Sequence, residues 1–180
     1  MRIYAVAVTT LAVAAVAALM ALPASAASGG TDRPFKQSGT QTGDITFSSF
    51  SCFSDPPENC TVSYQWVGPL IGSHLGKGSV ATVNEGSGES STFTAANGDM
   101  IYSTFTELPN PDPIVCPSVS GFNYSEPFRG QDNYTGGTGR FADASGTTVS
   151  VGCLYIDFTD FTDLTFPAYV TFSATGTISY

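Results

Sequence analysis

Tyr134-Thr135-Gly136-Gly137-Thr138-Gly139-Arg140-Phe141-Ala142-Asp143-Ala144-Ser145-Gly146 is the stretch around which the chain reads as organised. Three glycines fall within four residues and a fourth, Gly146, closes the run. Glycine takes positive φ without steric cost, so the stretch reads as a tight, shaped turn. Phe141 is its first large apolar anchor, and the small Ala142 and Ala144 let neighbouring backbone come close. Gly146 opens the β-type run 147–151. The expected local structure is a turn, a short crossing segment and a strand entry. A glycine-rich turn can also cradle phosphate, but only where it opens a helix. Here β-branched residues follow, and no P-loop Lys-Ser/Thr pair is present.

The rest of the chain has the same β character. Val62, Tyr64 and Trp66 alternate with Thr61, Ser63 and Gln65, which is strand period. Strands are expected at 44–50, 61–67, 79–84, 91–96, 100–107, 121–128, 147–151, 154–161 and 169–180. Asn97-Gly98 is a strong hairpin signal between two of them. In the last strand Val170, Phe172, Ala174, Ile178 and Tyr180 share one face. The segment 108–117 holds four prolines and cannot be a central strand, because each proline removes a ladder donor. No segment after residue 26 has sustained helical period. Many short strands with regular turn signals mean a sandwich or a barrel.

The glycine stretch also carries a family resemblance. Gly-Gly-Thr-Gly, a basic residue, Phe and small residues before a glycine resemble the signature of allene oxide cyclase and dirigent β-barrel proteins. The pattern is most similar to a secreted bacterial group of allene-oxide-cyclase-like barrels. Ser73-His74-Leu75-Gly76, Ala95-Ala96-Asn97-Gly98-Asp99 and Ala174-Thr175-Gly176-Thr177-Ile178-Ser179-Tyr180 fit that group in order. The resemblance spans residues 73–180. It implies an all-β fold, a closed antiparallel barrel of about eight strands of calycin-like build, and it admits a homo-oligomer. The structural motif it marks is Gly136, Gly137, Gly139, Phe141 and Gly146. The polar interior residues that such enzymes use cannot be matched here, so their activity is not carried over.

Residues 1–26 read as a secretory signal peptide: Arg2, an apolar Ala-rich run, Pro23, then the small-x-small site Ala24-Ser25-Ala26. The run is nearly long enough to be an uncleaved anchor, but Pro23 and the cleavage site argue against that. Residues 27–41 read as a flexible arm and 42–180 as one barrel domain. Export implies a secreted, extracellular protein with no membrane association after cleavage. The segment after residue 26 keeps all fifteen acidic residues and five basic ones, a net charge of −10. Such a surface repels phosphate backbones, which excludes nucleic acid as a partner.

Four cysteines, an even count in an oxidising compartment, read as two disulfides. Of three connectivities, Cys52–Cys60 and Cys116–Cys153 are favoured. The first closes a turn, and the second ties the proline-rich loop to a strand end. A zinc site is the alternative, but no paired C-x2-C is present and there is one histidine.

The chemistry of the chain is less legible. His74 has no nucleophile-elbow serine to serve, so a hydrogen-bonding role at a barrel turn is expected. The repeat Asp157-Phe158-Thr159-Asp160-Phe161-Thr162-Asp163 could offer oxygens to calcium, but its alternating positions suit a polar hairpin rim better. Glu107 and Asp132 are carboxylates placed near a barrel rim, without any sign of a shifted pKa. No catalytic residue, metal ligand or cofactor is assigned. Trp66, Tyr102, Phe105 and Phe172 are the residues selected to line a ligand pocket, with Phe47 and Tyr180 as further aromatics; packing of the core by the same rings is the alternative. The functional expectation is binding of a small hydrophobic ligand or a protein partner. An isomerase or cyclase of the resembled type, or an interaction domain without ligand, are the alternatives.

Overall fold

The computed structural model describes residues 30–54, 60–86, 88–109 and 114–180. Residues 1–29, which hold the expected signal peptide and the first residues of the expected arm, lie outside the described residues. Eight strands form one closed antiparallel barrel: β1 (Arg33–Phe47), β2 (Val62–Gly72), β3 (Gly76–Asn84), β4 (Glu89–Thr94), β5 (Met100–Glu107), β6 (Tyr124–Gly137), β7 (Ser145–Ile156) and β8 (Thr165–Ser179). Each strand pairs with the next, and β1 closes the ring by pairing with β8 from Arg33↔Ile178 to Thr46↔Thr165. Closure leaves no free edge, which suits a chain this rich in β-branched and aromatic residues.

Several strand boundaries differ from the sequence reading: β2 runs on to Gly72, β3 starts at Gly76, β7 stops at Ile156 and β8 starts at Thr165, and three further differences shape the barrel. β1 begins at Arg33, so 33–41 is not a flexible arm. Phe35, Gln37 and Gln41 alternate inward along it and are buried, which holds these residues in the sheet. β6 starts at Tyr124 and runs into the glycine stretch as far as Gly137. β7 is continuous through Gly152, where a break between two strands was expected. The ring of Phe128, opposite Gly152 in the register, occupies the space a side chain there would need.

Antiparallel order sends the β2–β3, β4–β5 and β6–β7 turns to one end of the barrel, with the start of β1 and the end of β8. That end is closed by the glycine stretch. A 3-10 turn, Gly139–Phe141, inserts Phe141, which is fully buried beside Phe35, Leu75, Ala95 and Ile178. The Phe141 ring meets Tyr180 edge-on at 4.8 Å. Arg140 holds the plug from outside. It donates to the His74 carbonyl at 2.6 Å and lies 3.7 Å from the Asp99 carboxylate. His74 itself bonds the Pro34 carbonyl at 2.9 Å and stacks on Phe35, the turn role expected of it.

The outer wall has a strap. The β5–β6 connection is fastened to β7 by Cys116–Cys153, and Phe122 packs against Tyr155 and Tyr169. Tyr155 is only 1% exposed although it faces outward, because this connection covers it. Cys52–Cys60 closes the β1–β2 connection. Both pairings are those favoured from the sequence. No helix among the described residues is long and apolar enough to cross a membrane.

Candidate functional site

Between the plugged end and the opposite end the barrel interior is not filled. A cavity of about 310 Å³ runs up the lumen toward the Cys52–Cys60 connection. Eight-stranded barrels are just wide enough to be packed by side chains or to hold one small ligand. The space here depends on where the rings lie. Trp66 faces Gly43 across β1–β2, Phe172 faces Gly39 across β1–β8, and Phe128 faces Gly152 across β6–β7. Phe105 lies over Gly130, where an added Cβ would come within 1.9 Å of the ring. Each ring therefore lies against the wall on a residue without a side chain. These rings form the cavity wall and leave its middle open.

The floor of the cavity is polar. Asp132, 5% exposed, accepts from Ser150 at 2.5 Å, from Thr148 at 3.3 Å and from Ser103 at 3.4 Å. Thr148 continues to the Tyr134 hydroxyl at 2.9 Å, and Gln37 donates to that hydroxyl at 3.4 Å. A second chain runs from Gln41 to Thr82 and on to Ser91, with both contacts at 2.8 Å. These groups bond one another as buried polar groups usually do, except that the Gln37 Oε1 has no partner among the described residues. Burial raises the Asp132 pKa, and the three hydroxyl donors hold that rise back.

Halfway up, Tyr64 on β2 donates to the Glu89 carboxylate on β4, and its ring stacks on Trp66 at 3.9 Å. Desolvation raises the Glu89 pKa to about 7, against the Tyr64 bond, which lowers it; the Asp132 charge adds to the rise. The Tyr64 phenol is pushed up, first by burial and then by the Glu89 charge. Higher still, Tyr124 donates to Glu126 at 2.9 Å, and burial raises the Glu126 pKa. Glu107 completes the acidic set. The indole Nε1 of Trp66, a residue 7% exposed, has no hydrogen-bond partner among the described residues.

A raised carboxyl pKa has a definite consequence for stability. Between pH about 4.5 and about 7 the folded protein keeps the Glu89 proton that the unfolded chain has lost. Stability is present in full below that window, falls through it, and levels off above it. Glu89→Gln is expected to flatten this slope and to raise stability at neutral pH by on the order of 1–3 kcal/mol. Urea unfolding from pH about 4.5 to 8 measures it, and an unchanged slope would place the Glu89 proton elsewhere.

The residues selected from sequence divide by strand parity. Trp66, Phe105 and Phe172 line the cavity. Tyr102 does not: it is 38% exposed on the outer face, because it alternates with the inward Ile101 and Ser103. Glu107 and Asp132 both line the cavity, but Asp132 sits at its floor rather than at a rim. Phe47 lines the cavity, whereas Tyr180 packs on the Phe141 plug. Glu89 and Tyr64 were missed. They are 25 residues apart with β3 between their strands, and no local pattern signals the pair.

The aspartate repeat proves to be three successive Asx turns. Asp157, Asp160 and Asp163 accept from the backbone N–H of Thr159, Thr162 and Thr165 at 3.1, 2.9 and 2.8 Å. The repeat is the polar loop expected, shaped by local bonding of each aspartate to the residue two on. Phe158 between the turns packs on Phe47 and Phe166 at the upper end of the barrel. Among the described residues no group of His, Cys, Asp and Glu is placed to hold a metal.

Comparison with protein families, with characterised proteins and with solved structures finds no match to this chain, so the reading of the cavity rests on its own geometry.

Proposed function

We propose that the protein binds one small, mainly apolar ligand inside the barrel. The observation that carries this reading is the open lumen walled by rings seated on glycines, with an indole N–H at its side that has no partner among the described residues. A chain serving only as a rigid module would gain stability by filling that space, since a cavity forfeits dispersion contacts. The two disulfides support export, and the eight-stranded closed barrel agrees with the resemblance to allene-oxide-cyclase-like proteins.

Trp66 is the one tryptophan of the chain, so its fluorescence reports on the cavity. The neutral dye N-phenyl-1-naphthylamine is expected to bind one per barrel and to draw energy from Trp66. Gly130→Val is the paired variant. Its side chain must push the Phe105 ring off the wall and into the lumen. Dye affinity is expected to fall at least about tenfold, about 1.4 kcal/mol, with the barrel still folded by circular dichroism. Absence of saturable dye binding to the wild type would overturn the reading.

A second reading is favoured by one observation. Glu89, raised to a pKa of about 7 and bonded to a tyrosine inside a cavity, suits general acid–base work. An isomerase or cyclase using it would lose turnover in Glu89→Gln and keep dye binding. A pure binding protein has no turnover to lose.

A further inference from the structure

The cavity has a one-sided charge. Four carboxylates line it, Glu89, Glu107, Glu126 and Asp132, and none of the described residues lining it is Lys, Arg or His. They come from β4, β5 and β6 and are placed from floor to upper end, so the whole path is acidic. The one basic residue of these strands, Arg129, alternates outward from Asp132 and Phe128 and bonds the Pro109 carbonyl. Aromatic rings line the cavity alongside the carboxylates, and a ring face attracts cations. The Trp66 N–H is a buried donor without an acceptor among the described residues, and the Trp66 ring stacks on Tyr64 of the Tyr64–Glu89 pair. A solvated acidic surface would need neither the enclosure nor the rings, and an anionic ligand would meet carboxylates throughout.

We infer that the ligand is an organic cation: an amine on an apolar, ring-bearing body, with an ether, hydroxyl or carbonyl oxygen to accept from Trp66. This deepens the binding reading and rests on it. The ammonium would sit among Glu89, Glu107 and Glu126, where low polarity strengthens its attraction to a carboxylate. The body would lie between Trp66, Phe105 and Phe128.

Binding a cation must then be linked to protons. The groups facing Glu89 are Tyr64 from β2 and Asp132 from β6, with Glu107 from β5 near Tyr64. All are acidic groups or phenols, so no cation among the described residues already satisfies the carboxylate. Glu89 is half protonated near pH 7, and an ammonium favours its ionised form. Affinity for the amine should rise as pH rises through about 7, with proton release, while the amine itself stays protonated.

The test is calorimetric titration of the full secreted chain with 4-phenoxybutylamine, 4-phenoxybutanol and 4-phenoxybutyrate. The three share ring, ether oxygen and chain, and differ in charge. At about pH 8 the amine is expected to bind at least about tenfold tighter than the alcohol, and the carboxylate weakest. At about pH 5.5 the preference for the amine should shrink to about threefold or less, as Glu89 takes up its proton. Glu89→Gln should reduce amine affinity toward that of the alcohol and leave the alcohol unchanged. Glu126→Gln gives the same comparison should the first variant not fold. Equal binding of amine and alcohol would overturn the cation inference and leave cavity binding standing. Tightest binding of the carboxylate would overturn it in the same way. Binding of none of the three would overturn both.

Discussion

Phe141→Ala is expected to destabilise the barrel by about 3–5 kcal/mol, the usual cost of truncating a buried phenylalanine. Phe141 has no exposed surface, and its neighbours belong to distant parts of the chain: Phe35 on β1, Leu75 after β2, Ala95 after β4 and Ile178 on β8. These backbones are fixed in the closed ladder, so the site cannot collapse to fill the space. Against a total of about 5–15 kcal/mol for a domain, this removes much of the margin. Gly139→Val tests the same plug from the backbone side. Gly139 has φ +57°, and an added Cβ would sit 1.9 Å from the Asp99 carboxylate oxygen. That carboxylate also accepts from the Arg140 N–H at 3.4 Å. A β-branched residue there is strained and displaces Asp99, with an expected cost above about 1 kcal/mol. Asp143→Ala is the control: Asp143 is exposed, and a change within about 0.5 kcal/mol is expected. Thermal and urea unfolding of the three variants decide the matter. Wild-type melting of both Phe141→Ala and Gly139→Val would show that the plug does not hold this end of the barrel.

Removing the Cys116–Cys153 bridge is the second large effect. The bridge joins residues 37 apart, and constraining an unfolded loop of that length is worth about 4 kcal/mol by chain entropy. A Cys116→Ala, Cys153→Ala double variant is expected to lose most of that stability. It should also free the strap over β7, so that Tyr155 and Tyr169 gain solvent. The Cys52–Cys60 bridge closes a span of only 8, so the Cys52→Ala, Cys60→Ala variant should lose less, about 2.5 kcal/mol. Denaturant midpoints give the ranking, and tyrosine fluorescence quenching gives the exposure. A smaller loss for the long bridge than for the short one would mean that the strap is held by packing rather than by its crosslink.

What the amino-acid order decided by itself is local or combinatorial. Period-two alternation marks β2 and β8, Asn97-Gly98 marks the β4–β5 turn, and the glycines around Phe141 mark the β6–β7 turn, because such features depend on neighbours in sequence. The disulfide pairing was legible because four cysteines allow few choices and one pair flanks a short turn. The extent of β1 was not legible. Apart from Phe35 and Pro34 its residues 33–41 are polar or glycine, and they are strand only because β8 and β2 hold them on both sides and Phe35, Gln37 and Gln41 have an interior to face. The site belongs almost wholly to the tertiary structure. Tyr102 and Phe105 are both aromatic residues of β5, yet closure of the barrel sends one outward and the other into the lumen. Gly130 and Phe105 read as unrelated until the register sets ring over glycine and so leaves the lumen open. Glu89 acquires its raised pKa from enclosure, held back by a tyrosine two strands away, and both are set by the stagger of strands around the ring. Strand propensity is written residue by residue, but which side chains converge across a closed sheet is fixed by register and closure.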